Sequence, residues 1–226
     1  MPLDELRYYT AWHDHHNRKR HEAPADPWKP VHVDPSGVER WRTINLIWGL
    51  GRVRGGDWDR DGLESLRETA THDGLHERFV DGLDWEETVY YDRAERAIAE
   101  DGEYRGYEDI AEFREKRCAG LDDLYEEMKT DGYRPNYDHV YDDPEDIEFV
   151  HEMEPLVGIG RDGEVIWSEG YHRLVLAQIL DIDAIPVYVI RRHEQWQQLR
   201  DSVARGDGIP PDRDVDPDHP DLQDLQ

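Results

Sequence analysis

The chain holds a single cysteine, Cys118, so neither an intramolecular disulfide nor a cysteine-based zinc cluster can form. Lysine is also scarce. Only Lys19, Lys29, Lys116 and Lys129 occur among 27 basic residues, which leaves 27 − 4 = 23 arginines. No apolar run is longer than the mixed stretch 44–50 and the mean hydropathy is −0.96, which argues against a membrane-spanning helix. No charged-then-apolar leader opens the sequence, so a soluble, cytoplasmic protein is expected. A nucleophile elbow, a Walker loop, a dinucleotide fingerprint and internal repeats of 20–50 residues are all missing.

What is present is acid. With 226 residues, enough for one large or two small domains, the chain carries 54 Asp and Glu against 27 Lys and Arg, a formal charge of −27. Such a charge ordinarily repels nucleic acid, whose binding is driven by counterion release onto Lys and Arg. Abundant carboxylates with arginine in place of lysine, however, resemble the proteins of salt-loving archaea. In ~1 M salt the Debye length is only about 3 Å, so the charge reports habitat more than partner. DNA remains an alternative ligand on this reading, not the favoured one.

Residues 3–22 read as a helix with Leu3, Leu6 and Tyr9 on one face, broken by Pro24, Pro27 and Pro30. Residues 30–34 read as a short strand. Gly49, Gly51, Gly55 and Gly56 surround Val53 in an expected loop that ends in Asp57-Trp58-Asp59. Helices are expected next: Leu63, Leu66 and Ala70 share a face, and Asp84 with Glu87 has capping-box spacing for a helix through Ala97. Leu121, Leu124, Tyr125 and Met128 follow at i, i+3, i+4 and i+7, with Gly132 as a stop. Trp85, Tyr90 and Tyr91 are expected in the core of this part.

After Pro144 the period changes. Residues 156–159 and 165–167 read as a hairpin about Arg161-Asp162-Gly163, 173–180 as an apolar helix, and 185–190 as a buried strand. Trp196, Leu199 and Val203 outline a last helix, and 206–226, with four prolines and seven aspartates, reads as a disordered acidic tail. The expected fold is α/β in the broad sense, more closely α+β. Its expected parts are an N-terminal arm or helix (1–36), a mainly helical portion (37–143) packed on a small mixed-sheet domain (144–205), and the tail.

One constellation points to chemistry. A strand reaching Trp167, a turn at Gly170 and a helix from about Tyr171 aim the free N–H groups of the first helical turn outward at the positive end of the helix dipole. Gly170 admits a close ligand, Arg173 offers a planar fork for phosphate oxygens, and His172 adds a donor. The plain architectural alternative is a tight turn at Gly170, with Arg173 paired to a nearby carboxylate. The order hairpin, Gly-x-His-Arg, short helix, then Ile185-Pro186-Val187-Tyr188-Val189 resembles the ParB/sulfiredoxin-like superfamily, often labelled ParB-like nuclease, over about residues 148–192. The resemblance implies that Gly170, Tyr171, His172 and Arg173 hold nucleotide phosphates: CTP as in partition proteins, or ATP or ADP as in sulfiredoxins and free-serine kinases. Tyr171 is neither the glutamate of partition proteins nor the cysteine nucleophile of sulfiredoxins, and no helix-turn-helix follows Arg192. The serine-kinase type is altered least.

Phosphoryl transfer needs neutralised charge and an acid for the attacking hydroxyl. Glu152, Glu154 and Glu169 flank the turn. Asp57 and Asp59 have spacing for Mg²⁺, and Trp58 lies between them to cover a base or sugar. The Gly-Asp-Trp-Asp segment is similar to one in other proteins with a ParB-like domain. Against this stands the ordinary-loop reading, in a chain where nearly one residue in four is acidic. The functional expectation is a nucleotide-binding protein, an Mg²⁺-dependent phosphotransferase on a small hydroxyl-bearing substrate. On that reading Glu152, Glu169 or Asp57 is catalytic, and Asp57 and Asp59 hold the metal. A ParB-like DNA-binding or nuclease protein and a non-catalytic nucleotide sensor are the alternatives. His13, His15, His16 and His21 match no closed zinc motif and are expected on a solvated surface. His72 and His76 lack the glutamate of a metalloprotease helix. Arg191-Arg192-His193 is expected either to meet phosphate or to cap its strand beside Glu194.

Overall fold

The computed structural model describes residues 3–225 and is α+β, with helices and a small mixed sheet. Met1, Pro2 and Gln226, the ends of the expected arm and tail, lie outside the described residues. The helices are α1 (Leu3–Arg20), α2 (Ala70–Phe79), α3 (Val89–Asp101), α4 (Ile110–Glu112), α5 (Ala119–Asp131), α6 (Tyr171–Ile179) and α7 (Glu194–Ala204), with a π-helical stretch, Phe113–Cys118, joining α4 to α5. The strands are β1 (Val31–Val33), β2 (Arg40–Trp41), β3 (Arg52–Arg54), β4 (Glu64–Ser65), β5 (Leu156–Ile159), β6 (Val165–Glu169) and β7 (Ile185–His193). No helix among the described residues is long and apolar enough to cross a membrane.

Two compact units interleave along the chain, where composition alone suggests a single boundary near residue 143. The first gathers Met1–Glu64, Pro135–Tyr171 and Ala184–Gln226; the second gathers Ser65–Arg134 and His172–Asp183.

In the first unit the strand order is β1-β7-β5-β6-β2-β4, with β3 also on β7. The β-branched run of β7 is buried along all nine residues, as a strand covered on both faces must be. It pairs with β1 antiparallel, and with β5 and β3 in parallel. Leu3 and Leu6 of α1 join Ile44, Leu50, Trp58, Met153, Leu156, Ile166 and Ile190 in the core. The expected loop at 49–56 in fact contains β3. Its Arg-Val-Arg side chains carry little apolar signal, yet its backbone completes the ladder at the C-terminal end of β7.

The expected disordered tail is likewise corrected. Pro220–Leu225 form a 3₁₀ turn in which Asp221 and Leu222 are buried. Asp221 accepts hydrogen bonds from Arg192 and from Trp196 Nε1, at 2.8 Å for the indole. Apolar content, the basis for expecting disorder, does not register a segment held by charge.

The helix expected from Leu63, Leu66 and Ala70 is instead strand β4 and a 3₁₀ turn; in the second unit α2 starts at Ala70, capped by the Thr69 hydroxyl. The Asp84–Glu87 capping box exists but closes the 3₁₀ turn Trp85–Glu87, and α3 begins one turn later under Thr88. Trp85 and Tyr90 are fully buried as expected, with the Trp85 indole donating to Asp122 at 3.0 Å. Tyr91 is only half-buried. Cys118 is buried, and burial pushes its thiol up to about 12, so it offers no thiolate.

Candidate anion-binding site

A cavity of about 450 Å³ opens in the first unit among α1, β3 and α7. Helix α1 and the residue after it supply Trp12, His13, His16, Asn17, Arg20 and His21; β3 supplies Arg52 and Arg54; α7 supplies Glu194 and Gln198. Glu194 is the one carboxylate among the lining residues, against three arginines and three histidines. In a chain with twice as many acidic as basic residues this is a pronounced inversion of charge.

Local geometry holds the lining in place. His13, His16, Asn17 and Arg20 stand at i, i+3, i+4 and i+7, so one stripe of α1 faces the cavity. Asn17 donates to the Gly51 carbonyl at 2.8 Å, tying α1 to the segment that leads into β3. His13 Nε2 donates to the Trp48 carbonyl at 2.8 Å and His16 Nδ1 to the Trp12 carbonyl at 2.8 Å. The His16 ring lies 3.8 Å from that of Trp12, and the Arg52 guanidinium sits 5.0 Å over Trp48. Burial lowers the His13 pKa, with Arg52 and His16 adding to the effect against the Trp48 bond. His13, His16 and His21 are therefore placed on a cavity wall, not on the solvated surface expected for them; of the four only His15 is exposed. Guanidinium forks, imidazole donors and an exposed indole face suit a ligand with anionic oxygens and a flat ring.

The residues singled out from sequence lie elsewhere. Gly170 has φ +82°, and a Cβ there would come 2.8 Å from Pro155, so both the turn and the packing require glycine. Tyr171 opens α6 with its ring 5.9 Å from Trp41. His172 is buried within the second unit: Arg117 donates to Nδ1 at 2.9 Å, which leaves Nε2–H for the Tyr90 hydroxyl at 3.1 Å. Burial, then Arg117 and Arg105, hold its pKa well below the ordinary value. Arg173 donates to the Tyr133 hydroxyl at 3.3 Å.

The acidic candidates are also engaged. Glu152 accepts from the backbone N–H groups of Glu148 and Phe149 at 2.8 and 3.0 Å, and buried Glu154 accepts from those of Asn136 and Tyr137. Glu169 is exposed at the end of β6. Asp57 and Asp59 do share a cation, and it is the Arg161 guanidinium, at 2.7 and 2.6 Å. Burial opposes ionisation of Asp59, but the side-chain and backbone bonds from Arg161 outweigh it and hold the carboxyl at about 2. Among the described residues no group of three or more His, Cys, Asp or Glu is placed to hold a metal ion. Sequence reasoning missed Trp12, Arg20, Arg52 and Arg54. The polar i, i+3, i+4, i+7 stripe of α1 was the signal available for Arg20.

No family model matches the chain, and comparison with curated proteins and with solved structures finds no significant likeness.

Proposed function

We propose that this protein binds a small phosphorylated ligand of the nucleotide class in the α1–β3–α7 cavity. Arg20, Arg52 and Arg54 take the phosphate oxygens, and the Trp12 indole lies against the base. The observation that carries the reading is the inverted charge of the lining: three arginines, three histidines and one carboxylate in a chain of formal charge −27. The volume falls in the range of small-molecule pockets, about 300–1,000 Å³. The surrounding negative charge disfavours a long polyanion such as duplex DNA, which would extend beyond the cationic patch. The reading is of a binding protein more than a phosphotransferase. Asp57 and Asp59 hold Arg161, and Glu152 caps its own turn, so these carboxylates are committed to structure.

Calorimetric titration with ATP, ADP, CTP and pyrophosphate tests it. Saturable binding is expected for the native chain, weakened about 10- to 100-fold by Arg52→Ala, since a hydrogen bond to a charged group contributes about 1.5–3 kcal/mol. Arg173→Ala is expected to bind as the native chain does. Absence of heat with all four compounds, or loss on Arg173→Ala alone, overturns the assignment.

A further inference from the structure

Beside the cavity, and not among its lining residues, lies a buried cation of another kind. Register brings Gly158 of β5, Arg191 of β7 and Arg52 of β3 into line across three strands, and the two-residue period puts Arg54 on the same face as Arg52. Trp58 covers this face. A Cβ on Gly158 would come 2.9 Å from its ring, and the Arg191 guanidinium sits 5.2 Å from the ring centroid. Arg191 is 7% exposed, and its Nε has no hydrogen-bond partner. The charges that act on it are Arg52, Arg54 and Arg42, all of its own sign; burial foremost, and then these neighbours, lower its pKa to about 10, so it stays protonated at neutral pH. The Arg42 Nε is buried without a partner as well, and its Nη1 donates to the backbone carbonyls of Trp58 and Asp61.

Other arginines of the first unit with little exposure show what is missing. Arg192, the next residue, is paired with Asp221; Arg200 with Asp221 and Asp224; Arg161 with Asp57 and Asp59. A chain with 54 carboxylates supplies one to each of them and leaves Arg191 facing three further cations. Buried charge of one sign is retained only where something neutralises it, and an aromatic face does so in part.

We infer that the Arg191 guanidinium beneath Trp58, with Arg42, Arg52 and Arg54 as its neighbouring cations, is a binding site for a compact inorganic anion, of the chloride or phosphate kind. The anion completes the coordination of the Arg191 guanidinium and relieves repulsion among the four. Arg52 and Arg54 also line the cavity, so the anion sets the position of two residues that the nucleotide reading uses. The inference does not depend on that reading.

Thermal unfolding at fixed pH, potassium concentration and ionic strength tests it, with chloride replacing gluconate in one arm and phosphate replacing gluconate in the other. A saturable rise in Tm is expected in the native chain, and the arm that saturates at lower concentration identifies the anion. Arg191→Met, which keeps the packing and removes the charge, is expected to abolish the rise. Indifference of the native Tm to the anion, or an undiminished rise in Arg191→Met, overturns the inference. Should Arg191→Met fail to fold, native crystals soaked in bromide and, separately, in arsenate decide: an anomalous peak against the Arg191 guanidinium in either supports the site, and none in both overturns it. Neither measurement contains nucleotide, so this inference and the proposed function can fail separately.

Discussion

Arg192 reaches across 29 residues to Asp221, with Nη2 2.6 Å from Oδ1 and Nε 2.9 Å from Oδ2, and both side chains are buried. Arg200 and the Trp196 indole close on the same carboxylate. The 3₁₀ turn Pro220–Leu225 is thus secured to β7 and α7 by an ionic knot about Asp221. Breaking a buried pair from one side leaves an uncompensated charge, at a cost of about 3–5 kcal/mol. Asp221→Ala is expected to lose stability of that order in urea denaturation. Asp216→Ala, at an exposed position, is expected to lose little.

Gly158 is expected to tolerate no side chain. An added methyl would press on Trp58 and on Ile44 Cδ1, 3.4 Å away, inside a packed core. Overpacking of this kind costs about 1–3 kcal/mol, so Gly158→Ala should lower the denaturation midpoint by a corresponding amount. It should also disturb Trp58 fluorescence. An unchanged midpoint would mean that the indole does not rest on β5.

Acid should act in two stages. His172 is held neutral by burial, and the pKa values of His13, His76 and His219 are lowered with burial as the foremost cause. A histidine with a lowered folded-state pKa binds more protons unfolded than folded. Its contribution is therefore complete above the free value of about 6.5 and is lost as pH falls below it. Asp59 and Asp221, held at about 2, contribute fully above the unfolded carboxyl value of about 3.8 and lose that contribution only as pH falls toward 2. Denaturation midpoints should thus begin to fall below about pH 6.5, where the histidines act, and fall further below about 4, where the carboxylates add their loss. His172→Gln, which keeps hydrogen-bonding capacity without titrating, should flatten the first stage. An NMR titration in which His172 protonates near pH 6.5 would contradict this.

Most of the elements could be read from the sequence because their signals are local. The Leu121–Met128 stripe, the Arg161-Asp162-Gly163 hairpin turn and the β-branched run of β7 each declare themselves within a few residues. Strand β3 did not, because an Arg-Val-Arg edge strand exists only by pairing with residues about 140 positions later. The C-terminal segment was misread for a related reason: Asp221 is indistinguishable in sequence from its neighbouring aspartates until Arg192 is brought beside it. The cavity was illegible for the same cause. Arg20, Arg52 and Glu194 look like scattered surface charges, and only the packing of α1 and α7 about β3 sets them on one wall.

The central claim is that the phosphate-bearing ligand sits on α1 and β3. The most direct measurement is a side-chain NMR titration with ADP, following the Trp12 indole N–H and the guanidinium Nε–H signals of Arg20, Arg52 and Arg173. Shifts at Trp12, Arg20 and Arg52, with Arg173 unmoved, are the predicted result. Shifts confined to Arg173, or none at any of the four, would contradict it.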